Sequence, residues 1–106
     1  MEFDLGQLMQ QAQRLQGEVQ RKQAELANRE VEGEAGAGLC KAVANGRGEL
    51  LRIKLDPKID LGDRALLEDL VTAAVNAALA KSRELQQQEL AGLAGGLPLG
   101  NLLGGG

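Results

Sequence analysis

From Leu5 to Leu26 apolar residues return at alternating intervals of three and four: Leu5, Leu8, Ala12, Leu15, Val19 and Leu26, with Lys22 interrupting the seam. That spacing predicts one long amphipathic helix. At 1.5 Å per residue it spans on the order of 33 Å, more than the width of a small sheet, so part of it projects or pairs outside its own subunit. Gly17 within it costs about 1 kcal/mol relative to Ala, which marks either close packing or a weak spot. Glu18 and Lys22, and Glu25 and Arg29, stand four apart with acid before base, the favoured order for pairs along a helix.

The period changes to two in the middle of the chain. Leu51, Ile53 and Leu55 alternate with Arg52, Lys54 and Asp56, as in a strand with one face covered and one wet. Asn45-Gly46 precedes it and predicts a tight hairpin with positive φ at both central residues. Before that turn, Cys40, Ala42 and Ala44 form the inward face, because the opposite phase would bury Lys41 without a partner. Val31 to Ala35 reads as a third strand, joined through a turn at Gly36 and Gly38. Asp56-Pro57 closes the sheet, 58–62 is a loop or single turn, and Asp60 or Asp63 is placed to cap the next helix.

That second helix has Leu67, Leu70, Val71, Ala74 and Ala78 on one side, where the small Ala73, Ala74, Ala77 and Ala78 allow close approach by the sheet or another helix. Its polar continuation is RELQQQELAG. From Ala91 onward seven glycines, one proline and no charge predict a flexible tail, so that residues 1–91 form the folded domain and 92–106 the tail.

Composition limits the core. Apolar residues make up 43% of the chain, yet they are largely Ala and Leu, with Phe3 as the one aromatic. A small sheet flanked by such helices leaves apolar surface uncovered, and a second copy of the chain is the simplest cover. The 12 basic and 15 acidic residues give a net charge of −3 and are spread evenly, which argues against a simple polyanion coat. The acidic start MEFDLG lacks a hydrophobic stretch of its own and points to the cytosol, and the uncharged tail is too short and glycine-rich to span a membrane.

Chemistry is restricted further. Without histidine there is no ordinary zinc or haem site and no imidazole base. Cys40 on an inward strand position is a small buried hydrophobe rather than a reactive thiol. Gly33, Gly36 and Gly38 match neither the P-loop nor the dinucleotide fingerprint, and no nucleophile, base and orienting acid assemble. No enzyme, cofactor or small-molecule substrate is expected.

Three stretches carry a resemblance: VEGEAGAGLCKAVANG, a strand ending in IKLDP, and LLEDLVTAAVNAAL on the second helix. Together, in that order and with a Gln-rich first helix before them, they resemble the YbaB/EbfC family of bacterial nucleoid-associated proteins. The resemblance implies an α+β fold, an α-β-β-β-α protomer with a three-stranded antiparallel sheet, a homodimer with paired helical arms, and double-stranded DNA as partner in the cytoplasm and nucleoid. Cys40, Ala42 and Ala44 stand where relatives often carry a bulkier apolar residue, which makes the core leaner.

No short DNA-contact motif carries over from that family, so the contact residues are sought among the cations. Arg14 and Arg21 lie seven apart on one face of the first helix with Lys22 beside them, and Lys81 and Arg83 lie near the polar end of the second. Two copies present ten such cations, enough for an acidic chain to neutralise phosphates if the carboxylates point elsewhere; the plainer reading of each is a solvated helical face whose charges pair with Glu18, Glu25 and Glu84. No aromatic interleaving supports base stacking, so single-strand or RNA recognition has no positive evidence, and neither has sequence-specific readout. The competing reading is a protein-interaction adaptor whose amphipathic helices dock a partner without touching DNA.

Overall fold

The structure, a computed structural model, describes residues 4–95. The elements run α1 (Leu5–Ala27), β1 (Glu30–Ala35), β2 (Cys40–Asn45), β3 (Leu50–Leu55) and α2 (Arg64–Gly95), the expected α-β-β-β-α order. The three strands form one antiparallel sheet in sequence order, β1-β2-β3. Both helices start on an aspartate: Asp4 Oδ1 accepts from the Gln7 N–H at 3.3 Å, and Asp63 Oδ1 from the Leu66 N–H at 3.1 Å. Each satisfies one of the amide donors that a first turn leaves unpaired. Of the two candidate caps for α2, Asp63 does this, while Asp60 accepts from the Gly62 N–H in the turn before it.

Helix α2 lies across β1 and β2. The alternation in β2 sends Cys40, Ala42 and Ala44 toward it, and they pack with Leu70, Ala74 and Ala78 into one buried cluster. Small residues on both sides let the helix sit almost on the backbone of the sheet. A Cβ built on Gly33 in β1 would come within 2.2 Å of the Ala78 nitrogen, so this contact tolerates glycine alone. The lean core is thereby closed by proximity rather than by bulk.

The hairpin after β2 differs from the sequence expectation. It falls at Asn45-Gly46, but neither residue has positive φ; the left-handed residue is Gly48, at φ 81°. The loop is longer because the Asn45 side chain builds it: Oδ1 accepts from the N–H groups of Arg47 and Glu49, at 3.0 and 3.1 Å. Such side-chain turns compete well with a two-residue turn. Gly46 is required for space instead, since a Cβ there would lie 2.8 Å from the Leu26 carbonyl oxygen. The earlier turn behaves as expected, with Gly36, Ala37 and Gly38 all at positive φ.

Strand β3 also departs from simple alternation. Val43 pairs with Arg52 and Ala44 with Leu50, so Leu51 is bulged out of the ladder. Leu50, Ile53 and Leu55 share the face of Ala44, Ala42 and Cys40, yet α2 covers that face far less over β3 than over β2. All of β3 is exposed, Ile53 at 40% and Leu51 at 45%. At the far end α2 continues through Gly92 to Gly95, beyond where the glycines were expected to stop it. Propagating an established helix is cheap, and a glycine costs it only about 1 kcal/mol. The rest of the expected tail, 96–106, lies outside the described residues.

Candidate nucleic-acid interface

Helix α1 meets the body only at its last turns. Leu26 is its one buried residue, and the backbone around it is tied to the hairpin: the Gly46 N–H donates to the carbonyls of Leu26 and Arg29, at 2.8 and 2.9 Å, and Asn45 Nδ2 to that of Ala27 at 3.2 Å. Toward its start, Leu5, Leu8 and Met9 are exposed. The helix is therefore an arm with an anchored base and an unaccompanied outer half, and its apolar seam is open there.

Arg14 and Arg21 stand on this arm two turns apart on one stripe, both exposed. Arg21 reaches Glu25 loosely, at 3.9 Å. Lys22 is different, since it turns toward α2 and is half-buried: its Nζ lies 3.1 Å from Glu89 Oε2 and 3.6 Å from Glu25. The Glu89 hydrogen bond and charge raise the Lys22 pKa above its ordinary value, with Glu25 adding to the effect. Arg29 joins the same carboxylate, Nη1 donating to Glu89 Oε1 at 2.7 Å. Glu89 is accordingly held below the usual carboxylate range, by Lys22 first and Arg29 second.

On α2, Lys81 and Arg83 are exposed but do not form one patch. They flank Ser82, which is fully buried, and so emerge on opposite sides of the helix. Among the described residues no carboxylate lies within ion-pair distance of Arg14, Lys81 or Arg83. The outer face of the sheet is charged as well, with Arg52 gripping Glu30 through two hydrogen bonds of 2.9 Å. That pair depresses the Glu30 pKa and raises that of Arg52.

Two of the helical pairs expected from spacing are replaced. Glu25 pairs with Arg21 and Lys22 rather than Arg29, because α1 ends at Ala27 and Arg29 has left the helix. Lys22 turns to Glu25 and Glu89 rather than Glu18. Arg29 and Glu89 were not singled out from the sequence as an interacting pair; they lie 60 residues apart, and no local rule connects them.

A protein-family model described as the YbaB/EbfC DNA-binding family matches residues 1–97. The chain belongs to the YbaB/EbfC DNA-binding family. Among its relatives, a protein of Streptomyces avermitilis named nucleoid-associated protein is 49% identical over 102 residues, covering 95% of this chain and 90% of the relative. A nucleoid-associated protein of Thermoanaerobacter pseudethanolicus is 45% identical over 101 residues, covering 94% and 91%. The fold is also that of the crystal structure of the uncharacterized protein HP0035 from Helicobacter pylori, with a TM-score of 0.74 at 21% identity, covering 85% of this chain and 95% of that one. In YbaB/EbfC terms, two of the stretches that suggested the family, VEGEAGAGLCKAVANG and LLEDLVTAAVNAAL, build the contact between β1, β2 and α2. Among the described residues, no helix is long and apolar enough to cross a membrane.

Proposed function

We propose that the protein binds double-stranded DNA as a homodimer through its helical arms, electrostatically and with little readout of sequence, in the bacterial nucleoid. The observation that carries this reading is the stripe of Arg14 and Arg21 on the exposed side of an arm anchored only at its base. The family and the names of its relatives support DNA as the partner. Lys81 and Arg83 add cations on α2. Lys22 belongs to the same group in sequence but is held by Glu89 in the free chain. The uncovered apolar residues of β3 favour a second copy as the other half of the assembly, because an isolated small core leaves such a face wet.

Binding carried by phosphates weakens linearly with the logarithm of salt concentration, with a slope of about 0.9 per phosphate neutralised. The test is a titration of a mixed-sequence duplex with the purified protein across a salt series, beside Arg14→Glu combined with Arg21→Glu. Loss of most binding by a variant that stays folded supports the arms as the contact. Equal binding by the variant removes them, and affinity indifferent to salt removes the electrostatic mode. No binding at any salt transfers the function to the second reading, a protein adaptor, which the exposed Leu5, Leu8 and Met9 of the arm favour.

A further inference from the structure

The carboxylate of Glu89 sits where the arm meets α2 and accepts from both Lys22, at 3.1 Å, and Arg29, at 2.7 Å. A carboxylate bound by a guanidinium and an ammonium resembles a DNA phosphate in charge and in acceptor geometry. We propose that Glu89 is a built-in competitor for the DNA backbone: it occupies Lys22 and Arg29 in the free protein, and a phosphodiester takes both cations over on binding. This rests on the reading of the arms as DNA-binding elements and adds Arg29 to them.

The site is open enough for exchange. The Lys22, Arg29 and Glu89 side chains keep 28%, 53% and 26% of their surface in solvent, so a phosphate can reach the cations without displacing backbone. Arg47 contributes another cation to a groove of about 270 Å³ beside them, whose lining includes Gln23 and Leu90, the chain neighbours of Lys22 and Glu89. Among the described residues, the other carboxylates within ion-pair distance of these cations are Glu25, 3.6 Å from Lys22, and Glu49, 3.9 Å from Arg47.

The ion pairs are also not what places the arm. Buried Leu26 and the hydrogen bonds from Gly46 and Asn45 hold the end of α1 independently. Breaking the contacts to Glu89 therefore leaves the base of the arm seated. What changes is the number of cations facing DNA, two more per protomer than the free protein presents.

The experiment measures binding of a mixed-sequence duplex by fluorescence anisotropy across a salt series. It compares the parent protein, Glu89→Gln, Glu84→Gln, the pair Lys22→Gln with Arg29→Gln, and that pair combined with Glu89→Gln. Glu89→Gln is expected to bind several-fold tighter at low salt, while Glu84→Gln, which removes the same charge from an exposed position on the same helix, changes affinity less. Adding the Lys22 and Arg29 replacements should abolish the gain. In the parent background those two replacements should lower the salt slope by about 1.8 per protomer, two phosphate contacts. Equal tightening by Glu84→Gln would reduce the effect to long-range charge and overturn the proposal, as would unchanged or weaker binding by a folded Glu89→Gln. If Glu89→Gln does not fold, the slope of the Lys22 and Arg29 variant decides, and an unchanged slope overturns it. A parent that binds DNA while Glu89→Gln has no effect removes this inference alone; a parent that binds none removes the reading of the arms and this with it.

Discussion

The hydroxyl of Ser82 donates to the backbone carbonyl of Asn45 at 2.7 Å, in a contact from which both residues exclude water. Asn45 thereby joins α2 to the hairpin, while its side chain bonds Ala27 on α1, Glu49, and the N–H groups of Arg47 and Glu49. One buried asparagine holds three elements in register. Replacing it with Ala leaves several of those groups unsatisfied, at about 1–3 kcal/mol for a buried polar group that loses its partner. Ser82→Ala removes one donor, and the Asn45 carbonyl keeps the Gly48 N–H, so about 1 kcal/mol is expected. Chemical denaturation should rank Asn45→Ala as clearly the more damaging.

Two glycines should respond to alanine with opposite signs. A Cβ added to Gly17 in α1 would have nothing within 4 Å, so Gly17→Ala should stabilise by about 0.5–1 kcal/mol through helix propensity. Gly33→Ala drives a methyl into the backbone of Ala74, Ala77 and Ala78. Overpacking costs about 1–3 kcal/mol where side chains can yield, and backbone yields less, so a loss at or above that range is expected. Thermal melts of the two variants check both signs together.

Acid should weaken the sheet through Glu30. Its pKa lies below the ordinary 4.5 because Arg52 donates to it in the folded chain. A depressed carboxylate contributes stability that is complete above its unfolded pKa and is lost as pH falls through the lower folded value. Glu30→Gln should therefore melt slightly below the parent at neutral pH and coincide with it in strong acid. A gap that widens toward low pH would contradict the assignment.

Local patterns disclosed most of the fold. The heptad seam, the period of two and the capping aspartates are local, and the elements they specify formed where expected. Gly46, expected at positive φ, is needed for space instead, and Gly17, open between close packing and a weak spot, proves unpacked; both roles depend on what lies beside them, since Leu26 crowds the first and the space around the second is open. The bulge at Leu51 was hidden because it inserts a residue without breaking the run of apolar positions. Arg14 and Arg21 were legible as one stripe, since helical period alone aligns them. The capture of Lys22 and Arg29 by Glu89 was not, because it depends on how α1 and α2 meet.

The apolar side of β3 gives the final prediction. Ile53 is paired with Ala42 and Leu55 with Cys40, so their side chains share the face that α2 covers over β2 and leaves partly exposed over β3. Leu61 and Leu66, before and at the start of α2, are exposed too. If a second copy covers this surface, Ile53→Asp places a charge in a desolvated contact, which is strongly unfavourable without a partner. If the face stays in water, the same change falls within the roughly 0.5 kcal/mol typical of surface substitutions. The parent is therefore expected to sediment as a dimer at micromolar concentration and to melt at temperatures that rise with protein concentration, because association stabilises the folded chain by mass action. Ile53→Asp should shift sedimentation toward monomer and remove that concentration dependence, whereas Lys54→Asp, on the opposite face of the same strand, should leave the dimer in place. A folded parent monomer at micromolar concentration would defeat the homodimer, and dimerisation unaffected by Ile53→Asp would place its interface elsewhere.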